Sequence, residues 1–80
     1  MAKLRVRLVF PPELVTQPII YQMGRDFNVV TNIRRADVTA TQGWVILELE
    51  GHERDIENAV AWAASRGVAV ELIPGDVVEG

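Results

Sequence analysis

Apolar and charged residues alternate along the first ten positions of the chain. The apolar positions that share one parity are Leu4, Val6, Leu8 and Phe10. The other parity is occupied by Lys3, Arg5, Arg7 and Val9. A period of two is typical of a strand with one buried face. Pro11 and Pro12 end this strand, because proline has no N–H to donate to a ladder.

Two later segments have the spacing of a helix. Pro18 begins the first helix, where its missing N–H costs nothing, and Thr16 or Gln17 precedes it as the cap. The apolar positions of this helix are Ile19, Ile20, Met23 and Phe27. The second helix covers residues 52–66, and Gly67 ends it. Its apolar stripe is Ile56, Ala59, Val60 and Ala63.

Residues 28–39, after the first helix, are rich in β-branched side chains and predict a long strand. Its apolar phase changes part-way along. Ile33 and Val38 can share a face only if one extra residue lies between them, since side chains alternate strictly along a regular strand. We therefore expect a β-bulge near Arg34 and Arg35.

The two remaining strands complete an element order that is common among small α+β domains. A turn over residues 41–43, with Gly43 at positive φ, leads into a strand over residues 44–50, and residues 68–73 form the last strand. The order β-α-β-β-α-β predicts a ferredoxin-like fold of the α+β class. Right-handed crossovers favour a four-stranded antiparallel sheet in the order 4-1-3-2, with both helices on one face.

Length and composition narrow the class of protein. Eighty residues, of which 49% are hydrophobic, predict a single domain over residues 1–80, with residues 74–80 as a flexible tail. The net charge of −3 gives no basic surface for nucleic acid. The absence of cysteine excludes thiolate chemistry and is compatible with a cytoplasmic location. No run of apolar residues is long enough for insertion into a membrane.

The sequence offers little for catalysis. His52 and Ser65 are the only histidine and serine, and they lie 13 positions apart on one predicted helix, too far to touch. A lone histidine builds no transition-metal site, and the acidic residues lack the spacing of a calcium loop. We therefore expect no catalytic residues, no metal site and no cofactor, and we do not expect an enzyme.

The face of the predicted sheet that no helix covers has complementary charges. Its basic positions are Lys3, Arg5 and Arg7, and its acidic positions on neighbouring strands are Glu48, Glu50 and Glu71. Trp44 lies on the same face. A surface that mixes apolar and charged groups suggests a protein partner, and a second copy of the chain is the simplest one. We therefore expect a homodimer.

Several short motifs resemble those of the NIL domain family. Residues 27–38 read FNVVTNIRRADV, in which Asn32-Ile33-Arg34 stands where the family name gives Asn-Ile-Leu. The other matching pieces are Phe10-Pro11, Pro18, Gly43, the run over residues 48–51 and Gly67-Val68. Their order and spacing extend the resemblance over nearly the whole chain.

The resemblance implies a ligand-sensing function. NIL domains are related to ACT domains, and in methionine importers they lie at the C-terminus of the ATPase subunit, pair, and bind methionine to inhibit transport. The 80 residues contain no phosphate-binding loop, so we expect a standalone regulatory domain whose partner is a transporter or a sulfur-metabolism protein.

The same resemblance points to a site for methionine or a related amino acid on the second strand. The candidate ligand-binding residues are Asn28, Val30, Asn32, Ile33 and Arg34. The two amides can both donate and accept hydrogen bonds, and an arginine can hold a carboxylate. Met23, Val30 or Ile33 would line an apolar slot. The alternative is a module that binds no ligand and acts only through protein–protein contacts or dimerisation.

Overall fold

The computed structural model describes residues 1–73, so the predicted flexible tail lies outside the described residues. Four strands and two helices follow one another in the predicted order β-α-β-β-α-β. In chain order they are β1 (Ala2–Phe10), α1 (Ile19–Asp26), β2 (Val30–Val38), β3 (Gly43–Gly51), α2 (Glu53–Ser65) and β4 (Ala69–Leu72). A 3₁₀ turn (Pro12–Leu14), which the sequence pattern does not predict, connects β1 to the approach to α1.

The strands form one antiparallel sheet in the spatial order β2-β3-β1-β4. This is the predicted order 4-1-3-2 read from the other edge. β1 lies at the centre because it pairs along its whole length with β3 and along four residues with β4. The predicted fold is therefore confirmed. The predicted bulge is confirmed as well, since the register of β2 against β3 shifts between Ile33 and Arg35 and leaves Arg34 as the extra residue.

The core lies between the two helices and the inner face of β1 and β3. Its fully buried side chains include Val6, Leu8, Ile19, Met23, Leu47 and Leu49. Three further residues that the pattern assigns to the core, Leu4, Val60 and Val70, are half-buried and pack against it. Burying one such aliphatic side chain contributes about 1.5–3 kcal/mol, so these contacts dominate the stability of a domain of this size.

The start of α1 differs from the prediction. Pro18 stands before the helix, where its carbonyl accepts the first helical bond from the N–H of Gln22 at 3.0 Å. Thr16 and Gln17 do not cap the helix, because they belong to the preceding turn, in which the N–H of Gln17 donates to the carbonyl of Leu14 at 3.0 Å. The expectation of Pro18 as the first helical residue, capped by Thr16 or Gln17, was wrong by one position.

The turn between β2 and β3 also differs from the prediction. It is closed by Thr39, whose Oγ1 accepts hydrogen bonds from the N–H groups of Thr41 and Gln42 at 3.3 and 3.2 Å. Gly43 lies inside β3 instead of taking the positive φ expected of a turn residue. A Cβ there would stand 3.2 Å from a methyl group of Val38, a close contact that the valine side chain would relieve by moving a few tenths of an ångström. Gly67 does have a positive φ of 105° and ends α2 as predicted.

Candidate functional site: an apolar cleft beside the second strand

An open cleft of about 260 Å³ lies between the approach to α1 and the helix-side face of β2. Its walls come from three parts of the chain. β1 and β3 contribute Phe10, Gly43 and Val45; the segment before and at the start of α1 contributes Val15, Gln17, Pro18, Ile19, Ile20 and Tyr21; β2 contributes Ile33, Ala36 and Val38. Nearly all of this lining is apolar, which is the usual character of a small-molecule site.

The bulge in β2 produces the floor of the cleft. Ile33, Ala36 and Val38 pair with Leu47, Val45 and Gly43, which all belong to the inner, buried parity of β3. Without the extra residue Arg34, Ala36 and Val38 would point to the opposite face, because a shift of one residue reverses every side chain. The spacing of apolar residues in the sequence thus fixes which side of β2 can receive an apolar ligand.

The cleft is open because no helix of residues 1–73 covers this part of β2. Ile33 and Val38 are each 54% exposed, although both face the helix side of the sheet. Tyr21, on the rim formed by α1, is 64% exposed. When exposed apolar groups gather in one concave surface, that surface is more often a binding site than a surface without a partner. The cleft therefore suits an apolar side chain of modest size.

Backbone polar groups border the cleft on its outer side. The N–H of Thr39 donates to the carbonyl of Gln42 at 2.8 Å, so Thr39 directs its N–H across the hairpin towards the β3 side. Hydrogen-bonded and non-hydrogen-bonded pairs alternate along an antiparallel ladder. Val38 and Ala36 therefore direct their N–H and carbonyl groups away from β3, towards the free edge of the sheet. The edge supplies both donors and acceptors next to the apolar floor.

The structure divides the five sequence-predicted site residues among four places. Ile33 lines the cleft. Val30 and Asn32 lie on the helix-free face, opposite Glu50 and Glu48 of β3. Arg34 is the exposed extra residue of the bulge, and Asn28 is exposed in the connection before β2 with a left-handed φ of 56°. These five residues therefore do not form one pocket.

The predicted apolar slot and the observed cleft share one residue. Met23 is fully buried in the core, and Val30 lies on the other face of the sheet, so Ile33 alone of the three contributes to the cleft. The wall residues Val15, Gln17 and Tyr21 were not predicted as site residues from the sequence. The sequence signal that could have pointed to this wall is the segment between Pro11 and Pro18, where apolar residues lie outside the predicted helices and strands.

The helix-free face has the predicted pairing of charges. Arg5 and Glu48 form an ion pair at 3.3 Å, and the ladder places Lys3 opposite Glu50 and Arg7 opposite Glu71. The half-buried ring of Trp44 lies between two arginines. The guanidinium carbons of Arg7 and Arg35 are 5.2 and 6.0 Å from the ring centroid, within the range of cation–π attraction.

Within residues 1–73 there is no group of three or more histidine and acidic side chains placed to hold a metal ion. The same residues contain no helix with the length and apolar character needed to span a membrane. The described pKa shifts are confined to the end of α1. There the Arg25 guanidinium donates to both carboxylate oxygens of Asp26, at 2.7 and 3.1 Å, and holds the pKa of Asp26 below its usual range.

Comparison with known protein families identifies the domain. The family model described as NIL domain matches residues 4–72, which is nearly all of the chain. This chain is a NIL domain. The resemblance seen in its motifs is thereby confirmed, including the match across the bulged second strand that forms the floor of the cleft.

The NIL domain is similar to part of two proteins named methionine import ATP-binding protein MetN, one from Bacillus subtilis and one from Escherichia coli K12. Identity to each is 31% over 72 residues, covering 85% of this chain and 21% of the relative. The chain thus spans about a fifth of the length of these relatives. Among solved structures it is similar to the C-terminal domain of an ABC transporter ATP-binding protein from Enterococcus faecalis. That match has a TM-score of 0.78 and 25% identity, and covers 90% of this chain and 84% of the other.

Proposed function

We propose that this NIL domain is a non-catalytic regulatory module that binds methionine or a related amino acid and works as a homodimer. The single observation that carries the proposal is the open apolar cleft at the bulged second strand. The relatives named for methionine import supply the ligand class. A domain that responds to imported methionine would work in the cytoplasm, beside a transporter or a sulfur-metabolism protein.

The shape and chemistry of the cleft suit the side chain of methionine. That side chain is unbranched, apolar and polarizable, so it fits narrow and irregular apolar spaces. The cleft volume of about 260 Å³ lies near the lower end of typical ligand pockets, which begin at about 300 Å³. A small amino acid is therefore a better match than a nucleotide or a large cofactor.

The polar end of the ligand needs donors for its carboxylate and acceptors for its ammonium group. In the proposed complex the edge of β2 provides both, through the backbone groups of Ala36 and Val38 that point away from β3. The amide of Gln17 stands on the opposite wall of the cleft. Asn28, Asn32 and Arg34 are not needed for this arrangement.

Titration calorimetry with methionine tests the proposal. We expect saturable heat from the wild-type domain, and we expect Val15→Phe to weaken binding by at least about tenfold, a loss of about 1.4 kcal/mol, because the larger ring fills the cleft. Ile46→Phe is the matched control, since Ile46 is also half-buried but lies on the helix-free face. It should leave the affinity unchanged.

Asn32→Ala decides between the cleft and the sequence motif as the binding site. If the cleft is the site, this variant retains its affinity, because Asn32 lies opposite Glu48 on the other face of the sheet. If Asn32→Ala abolishes binding and Val15→Phe does not, the ligand lies on the helix-free face and the cleft is the wrong site.

The alternative function is an interaction module without a ligand. The Trp44 ring between Arg7 and Arg35 favours it, because such a cluster on an exposed sheet face offers a contact for a protein partner. Absence of heat with methionine and with a panel of related amino acids would select this alternative.

A further inference from the structure

We propose that the helix-free face of the sheet contains a docking surface for an acidic segment of a partner protein. This surface, the Trp44 patch, consists of Arg7, Arg35, Trp44 and Ile46. The patch and the cleft lie on opposite faces of the sheet, so a partner can occupy the patch whether or not the proposed ligand occupies the cleft.

The sheet register gathers the patch from three strands. Ile46 of β3 lies opposite Arg7 of β1 on one side and opposite Arg35 of β2 on the other. Neighbouring strands are about 4.8 Å apart, so this row of basic, apolar and basic residues spans only about 10 Å. Trp44 follows on the same face of β3, and the two guanidinium carbons are 5.2 and 6.0 Å from its ring centroid. The fold therefore holds two cations around one apolar centre.

Arg7 and Arg35 keep their charges accessible. Both are exposed, and neither forms an ion pair with any residue that the structure describes. Glu71 lies opposite Arg7 in the ladder, but the observed contact of each guanidinium group is with the indole ring. Stacking on an aromatic face orders an arginine and leaves its N–H groups able to bind a planar carboxylate through two hydrogen bonds. The patch is therefore preorganised to bind carboxylate groups.

The apolar part of the patch fits a protein better than a small molecule. Trp44 and Ile46 are half-buried, as is Val9, which lies opposite Trp44. They lie on the sheet face that the helices leave open. Small molecules bind mainly in concave cavities such as the cleft, whereas protein interfaces have an apolar centre with a polar rim and are enriched in tryptophan and arginine. These two residue types also dominate the binding energy of interfaces, so the composition indicates a protein partner.

Acidic residues around the patch restrict the partner further. Three carboxylates flank the patch on the same face: Asp37, Glu48 and Glu71. They repel the regularly spaced phosphates of a nucleic acid, because a polyanion that covers the arginines also meets the carboxylates. A short acidic segment can instead direct one or two carboxylates towards the arginines alone. The charge arrangement therefore favours a protein segment over nucleic acid.

A second copy of the chain does not complement this surface. If two copies stacked patch against patch about a two-fold axis parallel to β3, each Arg7 would face Arg35 of the other copy. If the axis ran across β3 instead, each arginine would face its own counterpart. Like charges in contact weaken an interface. The complementary occupant is therefore a segment of another protein that supplies acidic side chains.

A fluorescence titration tests the docking of an acidic segment. The probe is a capped peptide of sequence Glu-Leu-Glu-Leu-Glu, in which the carboxylates share one face of an extended chain. The matched neutral peptide has glutamine at every glutamate position. Trp62→Phe leaves Trp44 as the single tryptophan, since the chain has two. We expect the acidic peptide to give a saturable change in Trp44 emission and the neutral peptide to give none. A missing response to the acidic peptide, or an equal response to both, would overturn the proposal.

Calorimetry with the same acidic peptide tests whether the two arginines hold it. Arg35→Gln and Arg7→Gln should each raise the dissociation constant at least about tenfold, because each removes one carboxylate contact. Arg66→Gln is the matched control, since it removes the same charge from an arginine that stacks on the other tryptophan, Trp62, at the end of α2. It should leave the affinity unchanged. An equal loss in this variant would show general attraction between opposite charges and contradict the assignment to the patch.

Two further measurements address other occupants of the patch. Sedimentation velocity should give the same mass for the wild-type chain and Arg35→Gln, and a lower mass for the variant would show that a second copy covers the patch instead. A single-stranded oligonucleotide should not displace the peptide, and displacement would assign the patch to nucleic acid. Arg35→Gln should keep the heat of methionine binding, since Arg35 lies on the face opposite the cleft. The docking surface and the ligand site are thus tested separately.

Discussion

β2 and β3 are neighbouring strands of nine residues that are buried to opposite extents. Every second residue of β3 is buried and the others are half-buried, whereas eight of the nine residues of β2 are exposed. Composition explains only part of the contrast, because the apolar residues Val30, Ile33 and Val38 of β2 are exposed as well. Position accounts for the rest: β3 has a strand on each side and the core on its inner face. β2 is the last strand of the sheet, and α1 reaches it only near Thr31, at its start. The residue pattern of a strand predicts that it pairs within a sheet. Whether its residues are buried depends on which other elements cover it.

The test of this contrast with the largest expected effect substitutes two residues that face each other across the β2–β3 ladder. Leu47 is fully buried and its partner Ile33 is 54% exposed. We expect Leu47→Ala to lower the free energy of unfolding by about 2–5 kcal/mol, because it leaves a cavity in the core. Ile33→Ala should cost less than about 1 kcal/mol, since most of its surface is already in water. Chemical denaturation measures both, and similar costs would show that β2 is covered in solution.

A second test lies where α1 still reaches β2. A Cβ at Gly24 would stand 3.6 Å from the carbonyl oxygen of Val29 and 3.7 Å from the side chain of Thr31, which are ordinary contacts. Gly24→Ala should therefore raise the free energy of unfolding by up to about 1 kcal/mol, through the better helix propensity of alanine. A lower melting temperature in this variant would show that α1 packs more tightly on β2 than these distances indicate.

The smallest expected effect concerns the charged end of α1. Because the pKa of Asp26 is lower in the folded chain than its ordinary value, the contact with Arg25 stabilises the fold above the usual aspartate range and is lost as the pH falls through the lowered pKa. Asp26→Asn should therefore lower the melting temperature slightly at neutral pH and have no effect in strong acid. A difference that grew towards low pH would contradict this assignment.

The sequence predicts this fold well because its main signals are local. The alternation in β1, the stripe of α2 and the left-handed glycine at Gly67 each depend on neighbours within a few positions. Even the bulge was predictable, since Ile33 and Val38 require it in order to share a face. The start of α1 and the turn at Thr39 were missed by a residue or two, because side-chain hydrogen bonds and a 3₁₀ turn hold them in place.

The candidate site was less predictable because it depends on contacts between distant segments. The cleft joins Val15 and Tyr21 to Val38, and nothing in their local pattern shows that they meet. The sequence motif also misleads in part, because Asn32 and Ile33 are adjacent in the chain but lie on opposite faces of the sheet. A strand motif contains residues from both faces, so its letters alone do not define a pocket.

The two free edges of the sheet are unequal, and this limits how large an assembly can grow. β2 offers nine residues, whereas β4, at the opposite edge, consists of the four residues Ala69–Leu72. A sheet that extends indefinitely, as in a fibre, needs two edges that both accept a strand. Within the described residues, the β4 edge offers a new strand only four residues to pair with, and so short an edge resists further addition. The shortness of β4 therefore disfavours polymerisation through sheet extension.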